Sequence, residues 1–117
     1  MTGGGAGIGQ ATVLRAAREG TKVVVVYRSE GGRVQTEKML KDQKAEGIFV
    51  QGDVRQEADW IRILKMSADM YGRLDTLFSN AGGNLIKPIT EVGVEKCDNL
   101  FALNVRGSFW VPSMLSP

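Results

Sequence analysis

The stretch Thr2-Gly3-Gly4-Gly5-Ala6-Gly7-Ile8-Gly9 places five glycines in eight residues. It stands directly ahead of Gln10 to Glu19, which carries Ala11, Val13, Leu14, Ala16 and Ala17. Glycines leave the backbone open to close approach. The residues after them are good helix formers with small apolar faces, and Gly20 stands where helices commonly end. The reading is a glycine turn that opens a helix, whose N-terminus directs N–H donors and positive dipole at an anion. This is the chemistry of a phosphate cradle; a flexible glycine-rich N-terminus is the alternative. Spacing separates the known cradles. A phosphate loop of the G-x-x-x-x-G-K-[ST] type starting at Gly4 needs Lys and Ser or Thr after Gly9 and meets Gln10-Ala11, so it fails. The G-x-G-x-x-G fingerprint fails too, because Gly5-Ala6-Gly7-Ile8-Gly9 is followed by Gln10. Thr2, Gly3, Gly7 and Gly9 satisfy T-G-x-x-x-G-x-G.

Outward from the glycines, Lys22 to Tyr27 reads KVVVVY, β-branched without polar alternation, as a central strand covered on both faces does. Arg33 to Lys44 is charged and helix-favouring with Val34, Met39 and Leu40 as its few apolar positions, a surface helix. Gly47 introduces a short strand at Ile48 to Gln51, then the turn Gly52-Asp53-Val54. From Glu57 to Tyr71 the residues Ile61, Leu64, Ala68 and Tyr71 recur at helical spacing beside Trp60, Ile63 and Met70, and Gly72 stops the run. Leu74 to Ser79 is a further apolar strand ending in Asn80-Ala81-Gly82-Gly83. After Pro88 a last helix is expected from about Val94 through Asn104, with Pro112 limiting its tail. Alternating helices and strands predict an α/β fold with a parallel sheet and right-handed crossovers. Without an internal repeat, low-complexity tract or linker, residues 1–117 read as one unit.

Composition narrows the chemistry. The 117 residues are 43% hydrophobic and 24% charged, as in soluble globular proteins. The balance of 15 basic against 13 acidic residues gives a net charge of +2, no field for nucleic acid or anionic lipid. There is no histidine, which excludes Ser-His-Asp and Cys-His nucleophile systems and His-ligated zinc. The single cysteine, Cys97, forms no internal disulfide and no Cys-rich metal site, which fits a reducing, cytoplasmic compartment. No metal site is expected. The longest apolar run, Val23 to Tyr27, is far short of the ~20 residues that span a bilayer.

On T-G-x-x-x-G-x-G, followed in order by Asp53-Val54, by Asn80-Ala81-Gly82 and by Asn104-Val105-x-Gly107-x-Phe109, the sequence resembles the short-chain dehydrogenase/reductase family. The resemblance extends over essentially the whole chain. It implies binding of NAD(H) or NADP(H) and hydride exchange with a small alcohol or carbonyl substrate. Residue by residue, Thr2, Gly3, Gly7, Ile8 and Gly9 would wrap the pyrophosphate and neighbouring ribose. Asp53 would be the adenine-contacting carboxylate, with Val54 lining the same slot; a helix N-cap is its alternative role. Asn80, Ala81 and Gly82 would pass the cofactor with their backbone, and Asn80 could also brace the strand end. Asn104 corresponds to the asparagine of the family's Asn-Ser-Tyr-Lys tetrad, which holds a water of the proton relay and also stabilises a helix irregularity. At the tip of the second strand of that fold stands Tyr27-Arg28-Ser29 instead of a carboxylate. Arginine pairs with a ribose 2′-phosphate where a carboxylate would take the 2′-OH, so NADP is preferred and NAD possible. A solvated surface role is the alternative for Arg28.

The sequence also departs from the family. Proton delivery there falls to a tyrosine whose pKa a lysine four residues on lowers. The tyrosines here are Tyr27 and Tyr71, with Gly31 and Asp75 at that offset. Family members carry a strand before the glycine turn, at the middle of the order 3-2-1-4, where this chain has only Met1. The expectation is therefore a partial Rossmann-type doubly wound parallel sheet, lacking the first strand and the C-terminal half. Function then reads as the cofactor-binding half of an oxidoreductase or as a non-catalytic nucleotide-binding fragment. The family's homo-oligomers form through the helix carrying Asn104 and the next one. Exposed Phe101, Phe109, Trp110 and Met114 are expected to promote aggregation, and Asn84 to Pro88 to edge the substrate pocket.

Overall fold

The computed structural model describes the backbone of residues 1–115 and the side chains of residues 1–112. Its elements are α1 (Gly7–Arg18), β1 (Val24–Tyr27), α2 (Glu30–Asp42), β2 (Ile48–Gln51) and α3 (Glu57–Tyr71), then a 3-10 turn (Ile89–Glu91), α4 (Val94–Phe101), a π-helical segment (Ala102–Arg106) and α5 (Gly107–Leu115). No helix of the described residues is long and apolar enough to cross a membrane.

β1 and β2 run parallel in the register Val24 to Ile48 through Tyr27 to Gln51. The other edge of β1 takes Thr2 as a parallel bridge to Val26. Val26 N–H donates to the Met1 carbonyl at 2.8 Å, and Gly3 N–H to the Val26 carbonyl at 3.0 Å. Thr2 N–H in turn donates to the Phe78 carbonyl at 3.0 Å. Across the sheet the order is therefore β2, β1, Thr2, Phe78, the 3-2-1-4 arrangement in outline. The four valines of KVVVVY lack polar alternation because each face of the strand has its own core. Val25 joins Val13 of α1 and Leu40 of α2. Val26, one residue on and pointing the other way, joins Val50, Trp60 and Ile63 of α3 and Val111 of α5. Helices on both faces of a parallel sheet make the doubly wound α/β architecture.

Several expectations are corrected. Leu74 to Ser79 forms no strand: among the described residues Phe78 accepts one sheet bond, from Thr2, and one rung is not a ladder. α1 starts at Gly7, within the glycines as expected, but α2 starts at Glu30, not Arg33, because Gly31 and Gly32 are tolerated in a first turn packed against the glycine loop. On α3 the expected Trp60 and Ile63 are buried with Ser67, and Leu64 packs against the same core, but Ile61 and Met70, expected on that face, are exposed. The last helix does not stop near Asn104. It passes through the π-helical segment and continues past Pro112, whose fixed φ suits a helix and which forfeits one hydrogen bond. Phe101 and Phe109 are exposed as expected, but Trp110 is half-buried against the Trp60 core, and the side chain of Met114 lies outside the described residues.

Candidate cofactor site

A cavity of about 600 Å³ opens at the carboxyl ends of the strands. The segments that leave β1 (Arg28, Ser29), leave β2 (Gly52, Val54) and follow Phe78 (Asn80 to Gly82) converge on it, as does the glycine turn. In open parallel sheets this is where ligands bind. The turn is shaped by crowding on one side and space on the other. Gly3, at φ +69°, has no room for a Cβ, which would stand 2.9 Å from Asn80 Nδ2. A Cβ on buried Gly9 would run into the Gly3 carbonyl and stand 2.6 Å from Asn80 Nδ2. Gly7, at φ +54°, lines the cavity with nothing within 4 Å of the Cβ position. α1 begins there without a capping side chain, since Ala6 precedes it, and without an acidic residue in its first turn. Its first N–H groups are the ones an α-helix leaves unpaired, and an anion in the cavity would satisfy them.

Thr2 does not line the cavity. It is 1% exposed, and its Oγ1 accepts from the backbone N–H of Asn80 and of Ala81, each at 3.0 Å, tying the glycine turn to the segment after Phe78. Asn80 Nδ2 donates to the Thr2 carbonyl at 3.3 Å. On the other side Thr36 Oγ1 of α2 donates to the Gly4 carbonyl at 3.0 Å. Ile8 points away from the cavity and is 74% exposed, and Gly9 lies beneath the turn. Asn104 sits on the π-helical segment. Its Nδ2 donates to the Gly83 carbonyl and its Oδ1 accepts from Gly83 N–H, both at 2.8 Å, so it closes the far side of the Asn80 to Gly83 segment. Gly5, Ala6, Gln35 and Leu103 line the cavity without having been singled out in the sequence. Gly32 also lines it, where α2 meets the turn: a Cβ there would stand 2.8 Å from the Gly5 carbonyl. The pair Gly31-Gly32, two residues after Ser29, is the signal for it in the sequence.

Among the described lining residues Arg28 is the charged side chain, and it is exposed. The nearby carboxylate, Glu30, is engaged: Tyr27 Oη donates to it at 2.9 Å and Arg33 Nε at 2.8 Å. Burial and this bond to Glu30 push the Tyr27 hydroxyl above its usual pKa. Val54 lines the cavity, and its carbonyl accepts from Trp60 Nε1 at 3.0 Å.

Asp53 is turned onto Arg55 instead of into the cavity. Hydrogen bonds from the Arg55 side chain hold the Asp53 carboxyl below its usual range. A carboxylate with a depressed folded-state pKa stabilises the fold at pH above its unfolded value, and that stabilisation disappears as pH falls through the lowered value. Arg55→Met is therefore expected to flatten the loss of stability between about pH 6 and about pH 2, measured by urea unfolding across that range. An unchanged acid limb would show that the pair contributes nothing.

The sequence model of short chain dehydrogenases matches residues 1–117. An uncharacterized oxidoreductase of Thermotoga maritima is 36% identical over 109 residues, 93% of this chain and 43% of that protein. An (S)-acetoin-forming diacetyl reductase of Staphylococcus epidermidis is 28% identical over 110 residues, 94% of this chain and 43% of its own length. A crystal structure of a short chain dehydrogenase from Bacillus anthracis superposes with a TM-score of 0.90 at 27% identity, over 97% of this chain and 47% of that one. The chain thus spans less than half the length of each of these relatives. The glycine turn, the doubly wound sheet and the match along all 117 residues agree: the chain belongs to the short-chain dehydrogenase family, whose members are oxidoreductases that use NAD(P)(H).

Proposed function

We propose that these residues form the cofactor-binding half of an NADP(H)-preferring reductase or dehydrogenase acting on a small alcohol or carbonyl compound. The observation that carries the reading is the cavity at the strand ends, with an uncapped helix N-terminus on one side and Arg28 with Ser29 on another. Gly3, Gly7 and the start of α1 would hold the pyrophosphate, which needs backbone donors and no side chains. Asn80, Ala81 and Gly82 would pass along the ribose, and Gly9 and Thr2 would keep the turn in shape from beneath. Ile8, exposed on the outer side of α1, would contribute backbone only. Arg28 and Ser29 would pair with a 2′-phosphate, with no free carboxylate beside them to repel it. When bound, the nicotinamide supplies the hydride. What the chain's own residues do is bind and orient the cofactor, with Asn104 holding the Asn80 to Gly83 segment; as the asparagine of the family tetrad it would also hold a water of the proton relay.

Neither tyrosine is equipped to deliver a proton. The Tyr27 hydroxyl is bound to Glu30, and Tyr71 lines a separate cavity with Lys22 Nζ 5.5 Å from its ring centre. This favours, as a second reading, a nucleotide-binding module without turnover of its own. Exposed Val94, Phe101, Val105 and Phe109 lie along α4, the π-helical segment and α5. We assign them to contact with a second copy in a homo-oligomer, and we place the protein in the cytoplasm on its one free, exposed cysteine.

Titration calorimetry tests the cofactor reading. NADPH is expected to bind more tightly than NADH, and Arg28→Ala is expected to weaken NADPH alone by about tenfold or more, the worth of a charge-assisted hydrogen bond. Equal loss for both dinucleotides, or for neither, would remove Arg28 from phosphate recognition. Oxidation of NADPH by the purified 117-residue chain with a carbonyl panel would remove the second reading.

A further inference from the structure

Arg55, which the dinucleotide reading of the cavity leaves without a role, holds the one carboxylate that could read the base. A carboxylate has about four lone-pair positions on its two oxygens. At Asp53 three N–H groups of one residue are aimed at them, the Nε–H shared between both oxygens. Arg55 backbone N–H donates to Oδ1 at 3.0 Å, its Nε to Oδ1 at 2.9 Å and to Oδ2 at 3.0 Å, and its Nη2 to Oδ2 at 2.6 Å. The third arm of the guanidinium is used too: Nη1 donates to Asn99 Oδ1 of α4 at 2.6 Å. Releasing Asp53 by swinging Arg55 away would therefore break bonds on both sides of it. Asp53 N–H donates to Asp59 Oδ2 at 2.8 Å, which fixes the backbone of the turn from α3. The two side chains are only 21% and 24% exposed, so water is a poor substitute for either partner. The result is visible in the cavity wall, which includes Gly52 and Val54 on either side of Asp53 but not Asp53 itself.

We infer that Arg55 withdraws Asp53 from base recognition, so that the 6-amino group of the purine does not determine specificity in this chain. The inference rests on the proposed binding of NAD(P)(H). An ionised carboxylate free to accept would favour an exocyclic amino group and repel a carbonyl oxygen in its place. One paired with a guanidinium and turned out of the cavity wall is indifferent to the exchange. Affinity then comes from the phosphates and from apolar walls such as Val54 and the Gly52 backbone.

The test compares NADPH with its hypoxanthine analogue, in which the 6-amino group is replaced by oxygen, by titration calorimetry on the native protein. Dissociation constants within about threefold of one another are expected, under 0.7 kcal/mol by the conversion of 1.4 kcal/mol per tenfold. Arg55→Met frees the Asp53 oxygens and is expected to raise the ratio to about tenfold or more in favour of the amino form. Adding Asp53→Asn should return it to the native value. Arg55→Lys, which keeps the charge but cannot hold both oxygens with a planar fork, should fall between. A native ratio of tenfold or more would overturn the inference while leaving the dinucleotide reading intact. So would an Arg55→Met ratio equal to the native one. Failure of the native protein to bind either dinucleotide would overturn the cofactor reading, and this inference with it.

Discussion

Gly9→Ala is expected to destabilise the protein by about 3 kcal/mol, the upper range for overpacking a filled site, and to weaken NADPH binding by about 100-fold or more, since 1.4 kcal/mol is tenfold. One methyl group has this effect because of what it meets. The added Cβ would run into the Gly3 carbonyl and stand 2.6 Å from Asn80 Nδ2. A carbonyl of the chain cannot rotate aside as a flexible side chain can. The Gly3 peptide must move, and it is held at its N–H by Val26 and at its neighbour Thr2 by Asn80 and Ala81. Displacement therefore spreads into the surfaces that line the cavity. Gly20→Ala separates strain from crowding. Gly20 has φ +87° with nothing within 4 Å of its Cβ position, and it lies outside this cavity. Its substitution should cost about 1–2 kcal/mol for the left-handed backbone and leave NADPH affinity unchanged. Urea unfolding and calorimetry on the two variants decide the matter: if Gly9→Ala binds within about threefold of native, the turn does not cradle the cofactor.

The same geometry shows why some parts of this fold could be read from sequence and others could not. KVVVVY announced its two covered faces because burial on both sides removes polar alternation, and Val25 and Val26 indeed enter separate cores. The glycine turn was legible because close backbone approach admits no other residue. Leu74 to Ser79 was misread for a reason periodicity cannot carry. A strand is defined by its neighbours, and this apolar run meets one paired residue, Thr2, beside it. The face of α3 is legible in part: Trp60, Ile63 and Leu64 meet the core as the broad apolar face predicts, whereas Ile61 and Met70 satisfy the same helical repeat and stay exposed. At the site, Asp53 shows the limit most plainly. Its position matched the family pattern, yet what its carboxylate binds is decided by Arg55, two residues on, and no spacing rule contains that rivalry. Asn104 went the other way: a helix irregularity was foreseen there, and the π-helical segment spans it.

Trp60→Ala is expected to be the most destabilising single substitution in the sheet's second core, at about 3–5 kcal/mol. Trp60 is 1% exposed and packs with Val26, Val50, Val54, Ile63 and Val111, so it joins β1, β2, the turn after β2 and α5 in one contact set. Removing it leaves a cavity that α3 and these four segments would have to move to fill. A loss of that size is a large share of the ~5–15 kcal/mol that holds a domain folded, so far-UV circular dichroism should show much of the chain unfolded at physiological temperature. The more informative variant is Trp60→Phe. It keeps most of the ring but removes Nε1–H, the donor to the Val54 carbonyl at 3.0 Å. A carbonyl buried without its partner costs about 1–3 kcal/mol, small enough for the fold to survive and for binding to be measured. Val54 lines the cavity, so this variant should weaken NADPH binding as well as stability. A fall in stability with unchanged affinity would mean that the Val54 wall is positioned by its side-chain packing alone, against Gly107 and the core, and that the indole bond serves only the fold.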